Sequence, residues 1–352
     1  MGMIGFIGRR LVRMALSLVA VSMLAFTLLQ MAPGNFADIQ RASSGATGMA
    51  GEQMQAVVGE FATRYGTDVP AWQQYLIFMR GALTWNLGPS YRYPAQNVEE
   101  LIAQGFPVSG ALAVLATALA LAISIPIGVL AALRQRSLWD TGSMFVLTMG
   151  NALPSYLVGV FLILIFSGWL RILPAAGWSG PEHLVLPVLA LAVGPLAVLA
   201  RYVRSSVLDT LREEYVTAAL AKGGKYRVVI VKHVLRNSLI PLVTVSGPML
   251  AALMTGTVFI ETMFRIPGLG LAFTQAATSR DMPLLMGTTL FFAIILMVTN
   301  LIVDLVYGLL DPRVRAESGR KLRGSRNRRT TAISDPEADE SQGNRTVGKS
   351  LG

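Results

Sequence analysis

Six times along this chain an apolar run of about 20 residues recurs, long enough at about 1.5 Å per residue to cross a hydrocarbon layer about 30 Å thick as a helix. The runs are Leu11 to Met31, Val108 to Leu133, Ser143 to Gly168, Leu184 to Ala200, Leu239 to Ile260 and Leu284 to Leu309. Inside lipid every backbone amide must find its partner within the segment, so such runs become helices. The expected fold is an all-α integral membrane protein with six transmembrane helices. At 53% hydrophobic and 14% charged residues, the composition leaves little for a soluble domain. The first run follows Arg9 and Arg10 as a signal peptide would, but it is longer than a signal's apolar region and five more runs follow it. It is expected to be a retained first helix.

A net charge of +10 would suit nucleic acid, but its distribution follows a membrane instead. With the amino terminus inside, the cytoplasmic side holds Arg9, Arg10, Arg13, Arg134 and Arg136, eight Lys or Arg between Arg201 and Arg236, and ten from Arg313 to Lys349. Only Arg41, Arg64, Arg80, Arg92, Arg171, Arg265 and Arg280 fall outside. This positive-inside pattern puts both termini in the cytoplasm of a multi-pass protein of the cell (plasma or inner) membrane, with the lipid bilayer and no nucleic acid as its surroundings. The chain has no cysteine, and its two histidines, His183 and His233, stand too far apart in sequence to suggest a metal site. No catalytic residue, cofactor or metal is expected.

The chain divides into residues 1–31, a cytoplasmic start and first helix; 32–107, an extracytoplasmic subdomain; 108–310, a five-helix core interrupted by a loop at 201–238; and 311–352, a tail. Within the outer segment Trp72, Tyr75, Phe78 or Met79, and Leu83 recur at helical spacing, as in an interfacial helix with an aromatic belt. Pro126, Pro154, Pro187, Pro195 and Pro248 fall inside spans and should kink them. Asp304 lies near the cytoplasmic end of the last span and is expected to find a structural partner there. The tail is polar, basic then acidic, and expected to be disordered. It spells GNRTVGKS, Gly343 to Ser350, a phosphate-loop pattern. No apolar strand precedes it and only Leu351 and Gly352 follow, so the backbone amides that would hold phosphates are not expected to have a scaffold. ATP hydrolysis is not expected of this chain.

The loop 201–238 cannot enter lipid, because each Lys or Arg at a helix centre costs about 2.5–3.5 kcal/mol. Leu208, Leu211, Tyr215, Ala218 or Ala219, and Lys222 share one helical face; Gly223 and Gly224 should stop that helix, and VVIVKHVL should start another. Small Ala218, Ala219 and Ala221 leave a low surface on which another protein can pack.

Tyr215, Val216, Ala219, Ala221, Lys222 and Gly223, followed by His233, Leu235, Arg236, Asn237 and Pro241, resemble the "EAA" loop of ABC importer permeases. More narrowly the chain resembles the first (B-type) permease subunit of the dipeptide, oligopeptide and nickel transport family. LGPSYR at 87–92, IPIGVLAAL at 125–133, LPSYLVGV at 153–160, ETMFRIPGLG at 261–270, RDMPLLMG at 280–287 and VDLVYGLLDPRVR at 303–315 carry the same likeness. Leu220, where that family usually has arginine, and Gly224, where it has a larger apolar residue, depart from it.

The resemblance implies a non-catalytic permease forming half of a translocation pathway for di- or oligopeptides. Its expected partners are a second homologous permease, two cytosolic ABC ATPase subunits and an extracytoplasmic substrate-binding protein. The loop would be the coupling helix, with Glu214, Tyr215, Ala218, Ala219, Lys222 and Gly223 as the ATPase-coupling residues. Nickel chelates or other small solutes remain alternatives within the family. From another class, a self-sufficient secondary transporter would show an internal repeat and several buried acids, and a membrane scaffold would bind a cytosolic partner without moving solute.

Overall fold

The structure, a computed structural model, describes residues 3–31 and 69–310. Among these residues the elements are helical, with one isolated bridge between Pro89 and Asn97. In chain order they are α1 (Met3–Met31), α2 (Ala71–Thr84), α3 (Val98–Leu133), α4 (Leu138–Ala152), and α5 (Ser155–Leu162), which a π-helical stretch (Ile163–Trp169) continues. There follow α6 (Glu182–Leu211), α7 (Glu214–Ala221), and α8 (Tyr226–Val229), continued by a second π-helical stretch (Ile230–Leu235). The chain then forms α9 (Arg236–Gly256), α10 (Val258–Phe264), α11 (Leu269–Ser279) and α12 (Met282–Leu310). Two compact units are present, residues 11–303 and residues 1–10 with 304–352. Of the second, the described parts are the helical start of α1 and the helical end of α12. The remainder of the fold belongs to the first.

Gly8–Met31, Val98–Leu133, Glu182–Leu211 and Met282–Val303 are single helices long and apolar enough to cross a membrane. The other two expected spans are divided. Between α4 and α5 the axis turns by 102°, and between the second half of α9 and α10 by 48°. Pro154 causes the first break: it has no amide hydrogen, and it drives Leu153 out of the helical region to φ −87°, ψ 130°. Pro126, Pro187, Pro195 and Pro248 lie within helices that continue through them, so of these prolines only Pro154 divides a span.

The core forms where α3 meets α6. Leu112, Ala116, Ala120, Ser124, Gly128 and Ala132 recur every fourth residue on α3 and are all buried. On a helix this spacing makes one narrow stripe, and its small members let a second backbone approach closely. At Gly128 a Cβ would sit 2.7 Å from the carbonyl oxygen of Ala200 and 2.8 Å from the side chain of Val203. Leu186, Leu199, Val203 and Val207 complete the contact from α6. A second cluster joins Val98 and Ile102 of α3, Leu269 and Ala276 of α11, and Leu284 and Leu285 of α12.

The expected aromatic helix of the outer segment is present as α2, and the middle of its stripe, Tyr75 and Met79, meets α1. Tyr75 and Ser22 share a hydrogen bond of 2.9 Å, the Tyr75 and Phe26 rings are 5.4 Å apart, and Gln30 donates to Gln74 at 3.0 Å. Trp72 and Leu83 stay exposed. Residues 85–97 of the expected outer segment form a loop and its last ten residues begin α3, which runs unbroken through the expected boundary at 107; residues 32–68, the Asp304 side chain, and the tail with its GNRTVGKS lie outside the described residues.

Candidate coupling surface and the bonded ends of the bundle

Helix α6 stops at Leu211, and Glu213 (ψ 140°) turns the chain before α7 begins at Glu214. The expected single face is therefore split. Leu208 and Leu211 belong to α6 and pack on the core, whereas Tyr215 and Ala218 lie on α7, a separate helix with Lys222 at its C-cap, and all three are exposed. The periodicity of the sequence runs through the break; only the extended residue between the helices, Glu213, marks the corner.

One side chain of α7 is fully seated. Val216 is buried beside Val229, Ile230 and Val234 of the returning segment, and Ala219 is half-buried against the same core. Sequence reasoning named Val216 only within the loop's resemblance and gave it no role; its signal was an apolar residue set opposite VVIVKHVL across the double glycine. Glu214, Tyr215, Ala218, Lys222 and Gly223 are exposed. So is Leu220, at 37%.

The end of α7 is a Schellman turn. Gly224 donates its amide to the Ala219 carbonyl at 3.2 Å and Gly223 donates to Leu220 at 2.9 Å. Gly223 has φ +82°, where a side chain is strained although nothing lies within 4 Å of where its Cβ would be. Gly224 is constrained by space instead: a Cβ there would lie 2.8 Å from the Ala219 oxygen and 3.0 Å from Val229. The departure at Gly224 noted from the sequence thus lets α8 fold back tightly on α7.

Three polar links hold this region to the bundle. Asn237 Nδ2 donates to the Tyr215 hydroxyl at 2.8 Å, tying the start of α7 to the start of α9. Ser206 donates to the Ser238 carbonyl at 2.9 Å, tying α6 to α9. Arg204 grips Asp140 with two parallel bonds, Nε to Oδ1 at 2.6 Å and the second guanidinium nitrogen to Oδ2 at 2.8 Å. Asp140 also accepts from the Arg136 amide at 3.0 Å, and its own amide donates to Ser137 at the cap of α4. This fork fixes the short loop before α4 to the helix that leads into α7.

At the far end of α9 and α10 from α7, two buried carboxylates organise the backbone. Glu261 of α10 accepts from the amides of Gly270 (2.7 Å) and Leu271 (3.2 Å), capping α11 from outside its own sequence. Ser109 of α3 accepts the remaining free amide there, that of Leu269, at 2.9 Å. Asp281 accepts from the Ser90 hydroxyl, from the Arg92 amide at 3.0 Å and from the Leu284 amide at 3.2 Å, so that it caps α12 and holds the 87–92 loop with one side chain. Tyr93 adds a bond to Gln275 of α11 at 3.0 Å. Three motifs noted separately in the sequence, LGPSYR, ETMFRIPGLG and RDMPLLMG, thus meet around α11.

Known proteins share this arrangement of sequence. Residues 124–316 match the family described as binding-protein-dependent transport system inner membrane component. Over 307 residues the chain is 37% identical to the dipeptide transport system permease protein DppB of Bacillus subtilis, covering 87% of this chain and 96% of that one. Over 315 residues it is 34% identical to the oligopeptide transport system permease protein OppB of Haemophilus influenzae, covering 89% and 100%. Among solved structures, a chain of the MetNI methionine ABC transporter in an inward-facing conformation aligns with 60% of this chain and 96% of its own. Its TM-score is 0.51 at 20% identity, a likeness of fold alone.

Proposed function

The chain belongs to the family of inner membrane components of binding-protein-dependent transport systems, and from that premise we propose that it is the permease subunit through which an ATP-driven importer passes di- or oligopeptides. The peptide class is supported by the dipeptide and oligopeptide permeases it matches over nearly their whole lengths. Six crossings, with each bent helix pair serving as one, would place both termini and α7 in the cytoplasm, where the positive-inside charge pattern puts them. One such subunit supplies half of a pathway, and a second homologous permease supplies the other half.

The observation that carries the coupling role is α7 itself, a two-turn helix anchored by Val216, closed by the Gly223 turn and clasped by Asn237, with its opposite side open. In this reading α7 is the coupling helix. Two cytosolic ATPases close on ATP, each carries the α7 docked on it, and the rigid links to α6 and α9 pass that displacement to the spans. Energy enters as a difference in binding between two conformations, so a stiff connection transmits more of it than a loose loop. Glu214, Tyr215, Ala218, Lys222 and Gly223 form or border the open side, and Ala219 supports it from beneath. An extracytoplasmic substrate-binding protein delivers cargo at the other end.

The test is co-purification of the tagged chain in mild detergent, native and Ala218→Arg. Ala218 is the residue to change because it is exposed, whereas an arginine at half-buried Ala219 would disturb the core as well. Recovery of a second permease and an ATPase with the native chain, and loss of the ATPase alone with Ala218→Arg, is expected. A native chain that purifies alone would overturn the assignment of partners.

A further inference from the structure

The corner between α10 and α11 is built to display one cation. Arg265 has φ 52°, ψ 45°, the left-handed region that favours glycine, and its side chain is exposed with no partner among the described residues. The residues around it are fixed. Phe264 and Ile266 are buried, Ile266 donates to the Glu261 carbonyl at 2.9 Å, and the Phe264 carbonyl accepts from Gly177 at 2.8 Å. Beneath the corner the Glu261 carboxylate holds the first amides of α11. A position that glycine would fill with less strain instead carries a long basic side chain on a rigid mount.

Charge around the corner is one-sided. Of the acids in the described outer segments, Glu99 accepts from the Leu87 amide, Glu100 from the Asn97 amide, Glu182 lies beside His183, and Glu261 and Asp281 are buried on backbone amides. Arg171 and Arg280, also at left-handed positions, have no partner among the described residues. Each of these acids has a partner within the subunit, with one Glu261 oxygen left over in the interior, whereas Arg171 and Arg265 are exposed and Arg280 is half-exposed.

We propose that the Arg265–Ile266–Pro267 corner, mounted on Glu261, is a contact through which this subunit engages an acidic surface of the extracytoplasmic binding protein. Arg265 makes the contact and Glu261 is a positioning residue. The inference rests on the importer reading above. Opposite charges at such a surface raise encounter rates and weaken as salt rises.

The experiment titrates peptide-loaded binding protein, at saturating peptide, against the complex reconstituted in liposomes and reads ATP hydrolysis. Arg265→Gly, which the backbone accommodates, and Arg265→Glu are expected to raise the half-saturating concentration of binding protein at least fivefold at low salt, with the rate at saturation changing less than twofold. Glu261→Gln, which keeps an oxygen for the α11 amides, should stay within twofold of native, while Glu261→Ala should shift with Arg265→Gly. Arg80→Glu on α2 should move nothing. Native stimulation with an unchanged half-saturation in both Arg265 variants would overturn the contact alone. In a second titration, of peptide at saturating binding protein, a shift in the half-saturating peptide concentration with none in that of the binding protein would assign Arg265 to cargo and overturn the contact too. No stimulation of the native complex at any concentration would overturn the importer reading, and this contact with it.

Discussion

Ser90 donates its hydroxyl to the carboxylate of Asp281, 191 residues further along the chain, and both side chains are fully buried. The bond joins the loop before α3 to the residue that caps α12. Because the same carboxylate accepts from Arg92 and Leu284, losing it strands three donors at once. Asp281→Ala should destabilise the protein by about 3 kcal/mol, and Asp281→Asn, which keeps one acceptor oxygen, by about half as much. The thermal unfolding midpoint in detergent measures both, and a loss under about 1 kcal/mol for Asp281→Ala would show that the carboxylate does not organise this end.

The double glycine after α7 separates two constraints that its sequence presents as one. Gly223→Ala meets only backbone strain and should cost about 1 kcal/mol. Gly223→Pro also removes the bond to Leu220 and should cost about 3 kcal/mol or more. In the assembled complex the second substitution should abolish uptake-linked ATP hydrolysis and the first should reduce it. Full activity of Gly223→Pro would exclude a need for this turn.

Tyr215 serves two ends, an exposed ring and a hydroxyl held by Asn237. If the hydroxyl stiffens α7, Tyr215→Phe should lower uptake per ATP hydrolysed while leaving ATPase co-purification intact, at a stability cost of about 1 kcal/mol. Asn237→Leu should reproduce the effect, and the double variant should be no worse than either single one. Additive losses would mean that the two residues act separately.

The Arg204–Asp140 fork should show a coupling energy of about 1–3 kcal/mol in a double-mutant cycle with alanine. Arg204→Lys should not restore it, since an ammonium cannot hold both carboxylate oxygens in one plane. Chemical denaturation or thermal unfolding reads the cycle, and a coupling near zero would reduce the fork to a passive contact.

Topology is open to direct labelling because the native chain has no cysteine. With a membrane-impermeant maleimide, Arg80→Cys should label in intact cells and Lys222→Cys only in inside-out vesicles. Labelling of both from one side would reverse or break the six-crossing arrangement.

What the sequence determined by itself is what depends on neighbours along the chain. Lipid leaves a long apolar run no choice but a helix, and the cost of inserting arginine and lysine is the reason the loop 201–238 is expected outside the bilayer. The positive φ of Gly223 and the break at Pro154 are likewise local, one a matter of backbone freedom and the other of a missing amide. The proposed coupling surface was legible to the same extent: its helix, turn and helix were in place, but its face was not. Which side of α7 is open depends on Val216 finding Val229, Ile230 and Val234, and the corner at Glu213 interrupts a periodicity that the sequence carries straight through. The tertiary structure alone decided the partners of Asp281, Glu261 and Asp140, and the stripe of α3 that meets α6. A buried carboxylate must be matched with donors wherever the fold brings them, and donors 191 residues away in sequence leave no mark beside it.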